Sequence, residues 1–398
     1  MKFIQPAVIT AEYKLSTPMF LGDAFQEADA TVMRNASFKG ALRFWWRALN
    51  WGRILASQSG DQAAALKALH QREGELFGRA SDSKSSAQSL VQISSKLEGS
   101  QLVAPGAQPQ NLVYLLGQGL YSHSDRGPAG KKGTQRPYLS GGRLTVEARL
   151  KPGATQEDTA SLEQALAALG LLGGLGSRAR KGFGSLSLQH LAHSGQVHEF
   201  NDLAAIQRFL STLDFSAPLE APLSAFTSAT HIDVSATGPE PWGLLEAISK
   251  EQQLFRSYGK DGMVGREEAR RNFVEDHDNV REAIHGKPLQ ALPKRAVFGL
   301  PHNYHYSSGG DMNIAPAGNG RRASPLFIHI HQFPKNDRCA AIQTLMPSVF
   351  LPAAIAIEAS IPKGRGKAQL IRNPSVDYQV IHRYLDGFKQ RKVLRDAR

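Results

Sequence analysis

The chain has 398 residues, of which 41% are hydrophobic and 21% charged, and its formal net charge is +12 at pH 7. This composition is typical of a folded globular protein and excludes wholesale disorder, while the length predicts two domains. The single cysteine, Cys339, excludes an intrachain disulfide and a zinc site built from several cysteines. The excess of Lys and Arg favours a polyanionic partner, although a basic surface kept for solubility would carry the same charge.

The N-terminal residues and the apolar stretches indicate where in the cell the protein is expected. Residues 1–6 contain no apolar core of signal-peptide length. The longest apolar stretch, residues 345–357, is interrupted by Pro347 and Pro352 and is too short to span a bilayer. We therefore expect a soluble, cytoplasmic protein with no membrane partner.

The first half of the chain predicts strands and helices in the order strand, helix, strand, strand, helix, strand, with insertions. Alternating or β-rich residues predict strands, and apolar residues at helical spacing predict helices. The strands are expected at residues 7–16, 89–97, 111–116, 143–150 and 183–188, and the helices at residues 37–48, 62–76 and 157–171. This order is the split βαβ pattern of a ferredoxin-like domain, and the fold alone does not give the function.

The second half predicts a further α+β domain after a linker at residues 210–223, which contains Pro218 and Pro222. Its strands are expected at residues 229–235 and near Ala296, Phe327 and Ala341, and its helices at residues 241–257, 267–284 and from about Ser375. The predicted fold class is α+β, with two ferredoxin-like (RRM-like, βαββαβ) domains with insertions. Their predicted bounds are residues 1–210 and 224–398.

A basic stripe follows the first predicted helix. Lys39, Arg43 and Arg47 lie at successive four-residue steps, where like charges repel by roughly a few tenths of a kcal/mol per pair. An anion along the stripe would offset this cost, and an equal alternative is that the arginines pair with acids elsewhere. Trp45 is predicted to lie in the core, while the position of Trp46 stays open.

Residues 173–184 form a glycine-rich segment between a predicted helix and a predicted strand. Five glycines surround Arg178, Arg180 and Lys181, so the backbone can approach a phosphate while the cations neutralise it. The segment lacks the GxxxxGK[ST] pattern of a P-loop, and a dinucleotide fingerprint needs the opposite order of strand and helix. A flexible surface turn is the alternative.

Other basic segments have no assigned partner. Residues 123–138 are predicted to be a mobile basic loop that contains Arg126, Lys131, Lys132 and Arg136, and the role of this loop is open. Residues 363–367 and the C-terminal tail are interpreted as electrostatic contacts or solvated ends.

Several of these segments together resemble a known family. Residues 17–22 (TPMFLG), 35–47 (NASFKGALRFWWR), 76–78 (LFG) and the glycine-rich segment resemble the signatures of the RAMP superfamily of CRISPR-associated proteins. The RFWWR variant, with residues 298–301 and 322–326, most resembles the first subunit of the type III-B effector, the Cmr complex.

The resemblance implies two ferredoxin-like domains in a subunit that holds the 3′ part of the CRISPR RNA. Such a subunit helps to capture target RNA for antiviral defence beside other RAMP subunits, while cleavage belongs to another subunit. No cofactor, metal or catalytic residue is expected. The residues expected to bind RNA are Arg34, Lys39, Arg43, Arg47, Gly174, Gly176, Ser177, Arg178, Arg180, Lys181, His302, Arg321 and Arg322.

Two rival functions stay open at this point. One is a guide-RNA processing, metal-independent endoribonuclease of the same superfamily, with His302 or His305 as general acid or base near Arg321 and Arg322. No base–nucleophile pair is visible, and His329 and His331, on one face of a predicted strand, lack the partners of a zinc motif. The other rival is a protein-binding scaffold without direct RNA contact.

Overall fold

The protein is described by a computed structural model. It covers residues 7–22, 29, 33–79, 88–107, 109–117, 119–219, 221–259, 262–289, 291–306, 309–318, 320–335, 338–362, 368–372 and 374–397. The basic segment at residues 363–367 lies outside these ranges. The fold is a mixture of helices and antiparallel sheets. Within the ranges given, no helix is both long and apolar enough to cross a bilayer.

The first half of the chain is organised around a five-stranded sheet. Its elements are β1 (Val8–Leu15), α1 (Asn35–Ser57), α2 (Gln62–Phe77), β2 (Val91–Glu98), β3 (Gln101–Val103), α3 (Val113–Leu116), β4 (Tyr121–Ser122), β5 (Gly133–Thr134), β6 (Tyr138–Ser140), β7 (Arg143–Leu150), α4 (Gln156–Leu172), β8 (Leu186–His193), β9 (Gln196–Glu199) and α5 (Leu203–Leu210). The sheet order is β2-β7-β1-β8-β9, and every neighbouring pair is antiparallel. Two small sheets, β3-β6 and β4-β5, lie outside it.

Local sequence accounts for the main elements of this half. Along β1, Ile9, Ala11 and Tyr13 are fully buried, because alternate strand residues face the same side. Helix α4 begins with a capping box, in which the Thr155 hydroxyl accepts from the Asp158 amide and the Asp158 carboxylate accepts from the Thr155 amide. The predicted strands β1, β2 and β7 and the helices α1, α2 and α4 are thereby confirmed.

One prediction for the first half is wrong. Residues 111–116 belong to a 3-10 turn, Gln110–Leu112, followed by the short helix α3, because Leu112, Leu115 and Leu116 are buried at helical rather than alternate spacing. The mobility of the basic loop at residues 123–138 stays a prediction. The strand β4 directly before this loop pairs with β5 inside it, and the Gln135 side chain donates to the carbonyls of residues 131 and 133.

The second half contains two four-stranded antiparallel sheets, β15-β16-β10-β19 and β13-β14-β17-β18. Its elements are β10 (His231–Gly238), α6 (Pro241–Arg256), β11 (Met263–Val264), β12 (Glu267–Glu268), α7 (Val274–Ile284), β13 (His302–His305), β14 (Asp311–Pro316), β15 (Leu326–Gln332), β16 (Cys339–Leu345), β17 (Ile357–Ser360), β18 (Gln369–Ile371), α8 (Gln379–Asp386) and β19 (Lys392–Arg395). The short strands β11 and β12 pair with each other.

Three predictions in this half need correction. The helix predicted from residue 267 begins at Val274, since residues 267 and 268 form β12. The strand expected near Ala296 is a 3-10 turn, Lys294–Phe298. The C-terminal tail is not a solvated end, because it returns as β19 beside β10, and Arg391 forms an ion pair at 2.9 Å with Asp233, which is fully buried.

The two halves share a hydrophobic core. Ile232 and Ile342 of the second half belong to the same buried cluster as the residues of α1 and β1. The edge strand β15 is also tied through side chains to β8 and to the residue before it. The Ser185 hydroxyl accepts from the Ile330 amide at 3.1 Å, and the Ser187 hydroxyl accepts from the Gln332 amide at 2.8 Å. These bonds cover the edge of β15 and hold the residues that follow the glycine-rich segment against the second half.

Candidate nucleic-acid interface

The glycine-rich loop, residues 173–184, joins α4 to β8 and packs on its own chain. Gly176 has φ of +86°, and a Cβ atom there would lie 2.6 Å from the carbonyl oxygen of Phe20. The Ser177 amide donates to the same carbonyl at 2.9 Å. Part of the glycine content is thus required for internal packing, and RNA contact by Gly174, Gly176 and Ser177 stays a prediction.

Arg180 of this loop connects the two halves of the chain. Its guanidinium lies 4.3 Å from the ring centroid of Phe327 and 5.2 Å from that of Phe44. One terminal nitrogen donates to the carbonyl oxygen of Ser324 at 2.7 Å. Burial, followed by the charge of Arg322, lowers the pKa of Arg180 to about 10. The side chain stays cationic at neutral pH and is held in a fixed position.

Lys181 places a buried amine in the same region. Its stem is half-buried, while Nζ is shielded from solvent and has no hydrogen-bond partner among the residues described. Burial lowers the pKa of Lys181 well below its ordinary value, and the charges of Arg256, Arg178 and Arg180 lower it further. A buried ammonium without an acceptor is costly, so an anion bound here would restore the charged form.

The second half brings arginines to the same place. Burial and then the charge of Arg321 lower the pKa of Arg178. Arg322 lies beside Arg180, and its guanidinium donates to the Ser348 hydroxyl at 2.7 Å. We refer to six side chains as the cation cluster: Arg178, Arg180, Lys181, Arg256, Arg321 and Arg322.

Five of the six members of the cation cluster have no carboxylate partner among the residues that the structure describes. In the part of the chain that the structure describes, no ion pair with an acid is formed by Arg180, Lys181, Arg256, Arg321 or Arg322. Cations gathered in a partly buried site repel one another unless an anion compensates them. The arrangement therefore suits a polyanion such as a phosphodiester backbone.

His302 adjoins the cation cluster. Its Nδ1 atom is buried without a hydrogen-bond partner in the described structure, and its ring stacks on Tyr304 with centroids 4.8 Å apart. Burial lowers the pKa of His302 well below its ordinary value, and the charges of Arg295 and Arg256 lower it further. The imidazole is therefore neutral at pH 7, and an anion beside it would favour its protonation.

The basic stripe on α1 faces α2 rather than open solvent. The Glu73 carboxylate, only 3% exposed, accepts from Arg43 Nε at 2.6 Å and from an Arg47 terminal nitrogen at 2.5 Å. Lys39 Nζ lies 3.4 Å from the Ser89 hydroxyl, and burial and then nearby cations lower its pKa. The acid-pairing alternative thus accounts for both arginines, and their contact with RNA stays a prediction.

The beginning of α1 holds the remaining residues of this segment. Arg34 is exposed, and its guanidinium donates to the carbonyl oxygen of Gly22 at 3.3 Å. Trp45 is buried, as predicted, and Trp46 is also buried, with Nε1 donating to the Ser161 hydroxyl at 3.0 Å. Neither tryptophan is available to stack on a base.

Sequence reasoning missed two arginines of this region. Arg256 ends α6, and Arg295 lies in a 3-10 turn, where its backbone amide donates to the Asp276 carboxylate. A single arginine at a helix end carries no signal of its own. Only the tertiary fold brings Arg256 to Lys181.

The buried histidines of β15 have internal partners. Nδ1 of His329 donates to the carbonyl oxygen of Gly173 at 2.6 Å, and Nε2 lies 3.3 Å from Nδ1 of His331. Their common face agrees with the predicted alternation. Across the described ranges, no three His, Cys, Asp or Glu side chains form a group suited to a metal.

The loop and α1 lie in a segment that matches a family model. The family model of the RAMP superfamily matches residues 12–187. This segment includes α1, α4 and the glycine-rich loop, and thus three members of the cation cluster.

The solved structures extend the likeness to nearly the whole chain. Cmr1 from Pyrococcus furiosus in its apo form is 17% identical, with a TM-score of 0.53 over 98% of this chain and 99% of that one. A chain of the type III-B Cmr-beta complex bound to cognate target RNA is 10% identical, with a TM-score of 0.50 over 96% of this chain and 98% of that one. No curated protein matches the sequence significantly. Both halves of the chain therefore share one fold with these proteins.

Proposed function

We propose that this chain is an RNA-binding, non-catalytic subunit of a type III-B CRISPR effector ribonucleoprotein. It holds the 3′ part of the CRISPR RNA and helps to capture target RNA for antiviral defence, together with other RAMP subunits in the cytoplasm. The observation that carries the proposal is the cation cluster, in which five of the six cations have no ion-paired acid among the described residues. The whole-length likeness to chains of Cmr complexes supports the same assignment.

The architecture supports a finer proposal, two ferredoxin-like domains at residues 1–210 and 224–398. In the first, the succession β1, α1, β2, β7, α4, β8 gives the sheet order β2-β7-β1-β8. In the second, β10, α6, β15, β16, α8, β19 gives β15-β16-β10-β19. Each unit thus has the βαββαβ succession and the same order of strands. The remaining strands are insertions.

The proposed contacts are made to the RNA backbone. Arginine and lysine bind phosphate oxygens without reading the base, so base pairing between guide and target supplies the sequence specificity. Lys181 and Arg256 would meet a phosphate in a site shielded from water, whereas Arg321, which is exposed, would meet the strand at its edge.

One observation favours the rival endoribonuclease. His305 Nδ1 lies 2.5 Å from an Asp311 carboxylate oxygen, and both residues line a cleft with Arg321. A carboxylate-oriented imidazole beside a guanidinium is suited to general base catalysis on a phosphodiester. Among the described residues that line this cleft, no ion pair other than His305–Asp311 is formed, so the binding function is our main proposal.

The test measures binding of purified protein to labelled single-stranded RNA, with cleavage products read from the same samples without added metal. The variant Arg178→Gln/Arg256→Gln/Arg321→Gln is compared with Lys67→Gln/Arg208→Gln, which removes exposed charges from α2 and α5. We expect about a 10- to 100-fold loss of affinity in the first variant, little change in the second, and no cleavage.

Other outcomes select a rival. Defined products that vanish in His305→Ala would establish the endoribonuclease. If wild-type protein binds no RNA, either alone or in the assembled complex, the protein-binding scaffold becomes the favoured function. Circular dichroism of each variant excludes misfolding as the cause of lost binding.

A further inference from the structure

A cleft lies on the outer face of the β13-β14-β17-β18 sheet, beside the cation cluster. Its volume is about 570 Å³, within the roughly 300–1,000 Å³ of typical small-molecule sites. Arg321, Pro301 and Pro362 line the cleft outside the strands and form what we call its margin. Because Arg321 also belongs to the cation cluster, the cleft continues the proposed path of the RNA.

The floor of the cleft is a row of polar side chains across three strands. Asn303 of β13 pairs in register with Asn313 of β14, which pairs with Ser360 of β17. Alternate residues on a strand face one side, so these side chains and the neighbouring His305 and Asp311 lie on the same face. Amide side chains carry both donors and acceptors, as do the edges of unpaired bases.

Charge divides the cleft into two parts. The Asp311 side chain is 51% exposed, and its carboxylate disfavours a phosphate on the floor. Arg321 favours a phosphate at the margin. Its positive charge also contributes to the lowered pKa of Arg178. A nucleotide fits this pattern in one direction only, with the uncharged base on the polar floor and the phosphate at the margin.

We propose that this cleft binds one unpaired base of an RNA strand, with the adjoining phosphate at Arg321. The inference rests on the proposed RNA-binding function and adds to it a site for a base. The edge of the base faces the Asn303–Asn313 row and exchanges hydrogen bonds with the two amides. The strand continues from Arg321 towards Arg178 and the buried part of the cation cluster.

The test separates base contacts from backbone contacts. Fluorescence anisotropy compares a short labelled oligoribonucleotide with the same backbone lacking its bases. The proteins are wild type, Asn303→Ala/Asn313→Ala and the control Asn201→Ala, which removes an amide that hydrogen-bonds Glu199 in the first half. We expect the double variant to lose about tenfold in affinity for the intact strand and to bind the abasic strand like wild type.

Crosslinking supplies a readout that does not depend on affinity. An oligonucleotide that carries 4-thiouridine is irradiated with the protein, and the adducts are mapped by mass spectrometry. Adducts on peptides that contain residues 301–313 are expected, and they should diminish in the double variant.

Two outcomes would overturn the base site. One is unchanged affinity for the intact strand in Asn303→Ala/Asn313→Ala while Arg178→Gln/Arg256→Gln/Arg321→Gln still weakens binding, which leaves the proposed function standing. The other is an equal loss for intact and abasic strands, which would place the backbone rather than a base on the amides. If wild-type protein binds neither strand, the proposed function itself fails.

Discussion

The guanidinium of Arg180 lies 4.3 Å from the ring centroid of Phe327, so a cation of the glycine-rich loop is fixed on a strand of the second half. The same side chain donates to the Ser324 carbonyl at 2.7 Å. Two contacts of different kinds thus hold the loop in place. They explain how a glycine-rich segment can present its cations from a defined position.

Replacing Arg180 by alanine removes both contacts. A desolvated cation–π interaction and a charged hydrogen bond together lead us to expect a loss of about 1–3 kcal/mol in the free energy of unfolding. Arg180→Lys should lie between alanine and wild type, because an ammonium cannot stack as a planar guanidinium does. Urea unfolding measures the series, and an Arg180→Ala protein as stable as wild type would contradict the bridging role.

Glu73 is expected to contribute to the stability of the fold and not to RNA binding. Glu73→Gln leaves Arg43 and Arg47 without their common carboxylate, and both arginines are about a third exposed, at 33% and 34%. Solvent screening reduces the cost, so we expect about 1–2 kcal/mol of destabilisation. Affinity for single-stranded RNA, measured on the folded variant, should stay within about twofold of wild type. A large fall in affinity would instead assign this stripe to the RNA.

Replacement of two glycines by alanine should change the stability of the protein in opposite directions. Gly184 has φ of +63°, and a Cβ atom there would lie 2.0 Å from the carbonyl oxygen of Leu175, so Gly184→Ala should destabilise by about 2 kcal/mol or more. Gly40 lies on the exposed face of α1, where an added Cβ atom would have no heavy atom within 4 Å beyond its own stretch of helix, so Gly40→Ala should stabilise by about 0.5–1 kcal/mol. Thermal unfolding compares the two, and tolerance of Gly184→Ala would contradict the described loop packing.

Stability should fall as the pH is lowered below neutrality. Burial lowers the pKa of His329 to about 4, although its hydrogen bond to the Gly173 carbonyl raises the pKa in part. Burial also lowers the pKa of His331 well below its usual range. The unfolded chain takes up these protons near pH 6.5, while the folded protein does not. Each such histidine therefore removes about 1.4 kcal/mol of stability per pH unit below that value, down to its folded pKa.

The comparison that checks this pH dependence uses His329→Gln. Carboxylates also lose favourable contacts in acid, so the informative quantity is the difference between variant and wild type. The free energy of unfolding of the variant should fall less steeply between about pH 6.5 and 4 than that of wild type. Equal slopes would show that His329 does not stay neutral in the folded protein.

The sequence predicted the regular parts of the fold because their signals are local. The alternation in β1 and β7 and the helical spacing in α1 reflect burial on one face, which the structure confirms. The Ala/Leu-rich sequence of α4 reflects burial on all sides of its second half. The prediction of a strand at residues 111–116 is wrong, since a short apolar run fits a strand and a buried helical turn equally well.

The candidate site was only partly accessible from the sequence. Arg178, Arg180 and Lys181 stood out through their density among glycines, whereas Arg256 joins them only through the packing of α6. The stripe on α1 shows the converse. Its arginines are regularly spaced, but the partner that decides their role, Glu73, lies 26 residues further along the chain than Arg47.

The most direct test of the account is the salt dependence of RNA binding. The logarithm of the dissociation constant is measured against the logarithm of salt concentration for wild type, Arg178→Gln/Arg256→Gln/Arg321→Gln and Lys67→Gln/Arg208→Gln. Each phosphate contact on a single strand contributes about 0.7 to the slope, so loss of three contacts should reduce it by about 2 in the cluster variant alone. A slope unchanged by removal of these arginines would contradict an RNA backbone lying on the cation cluster.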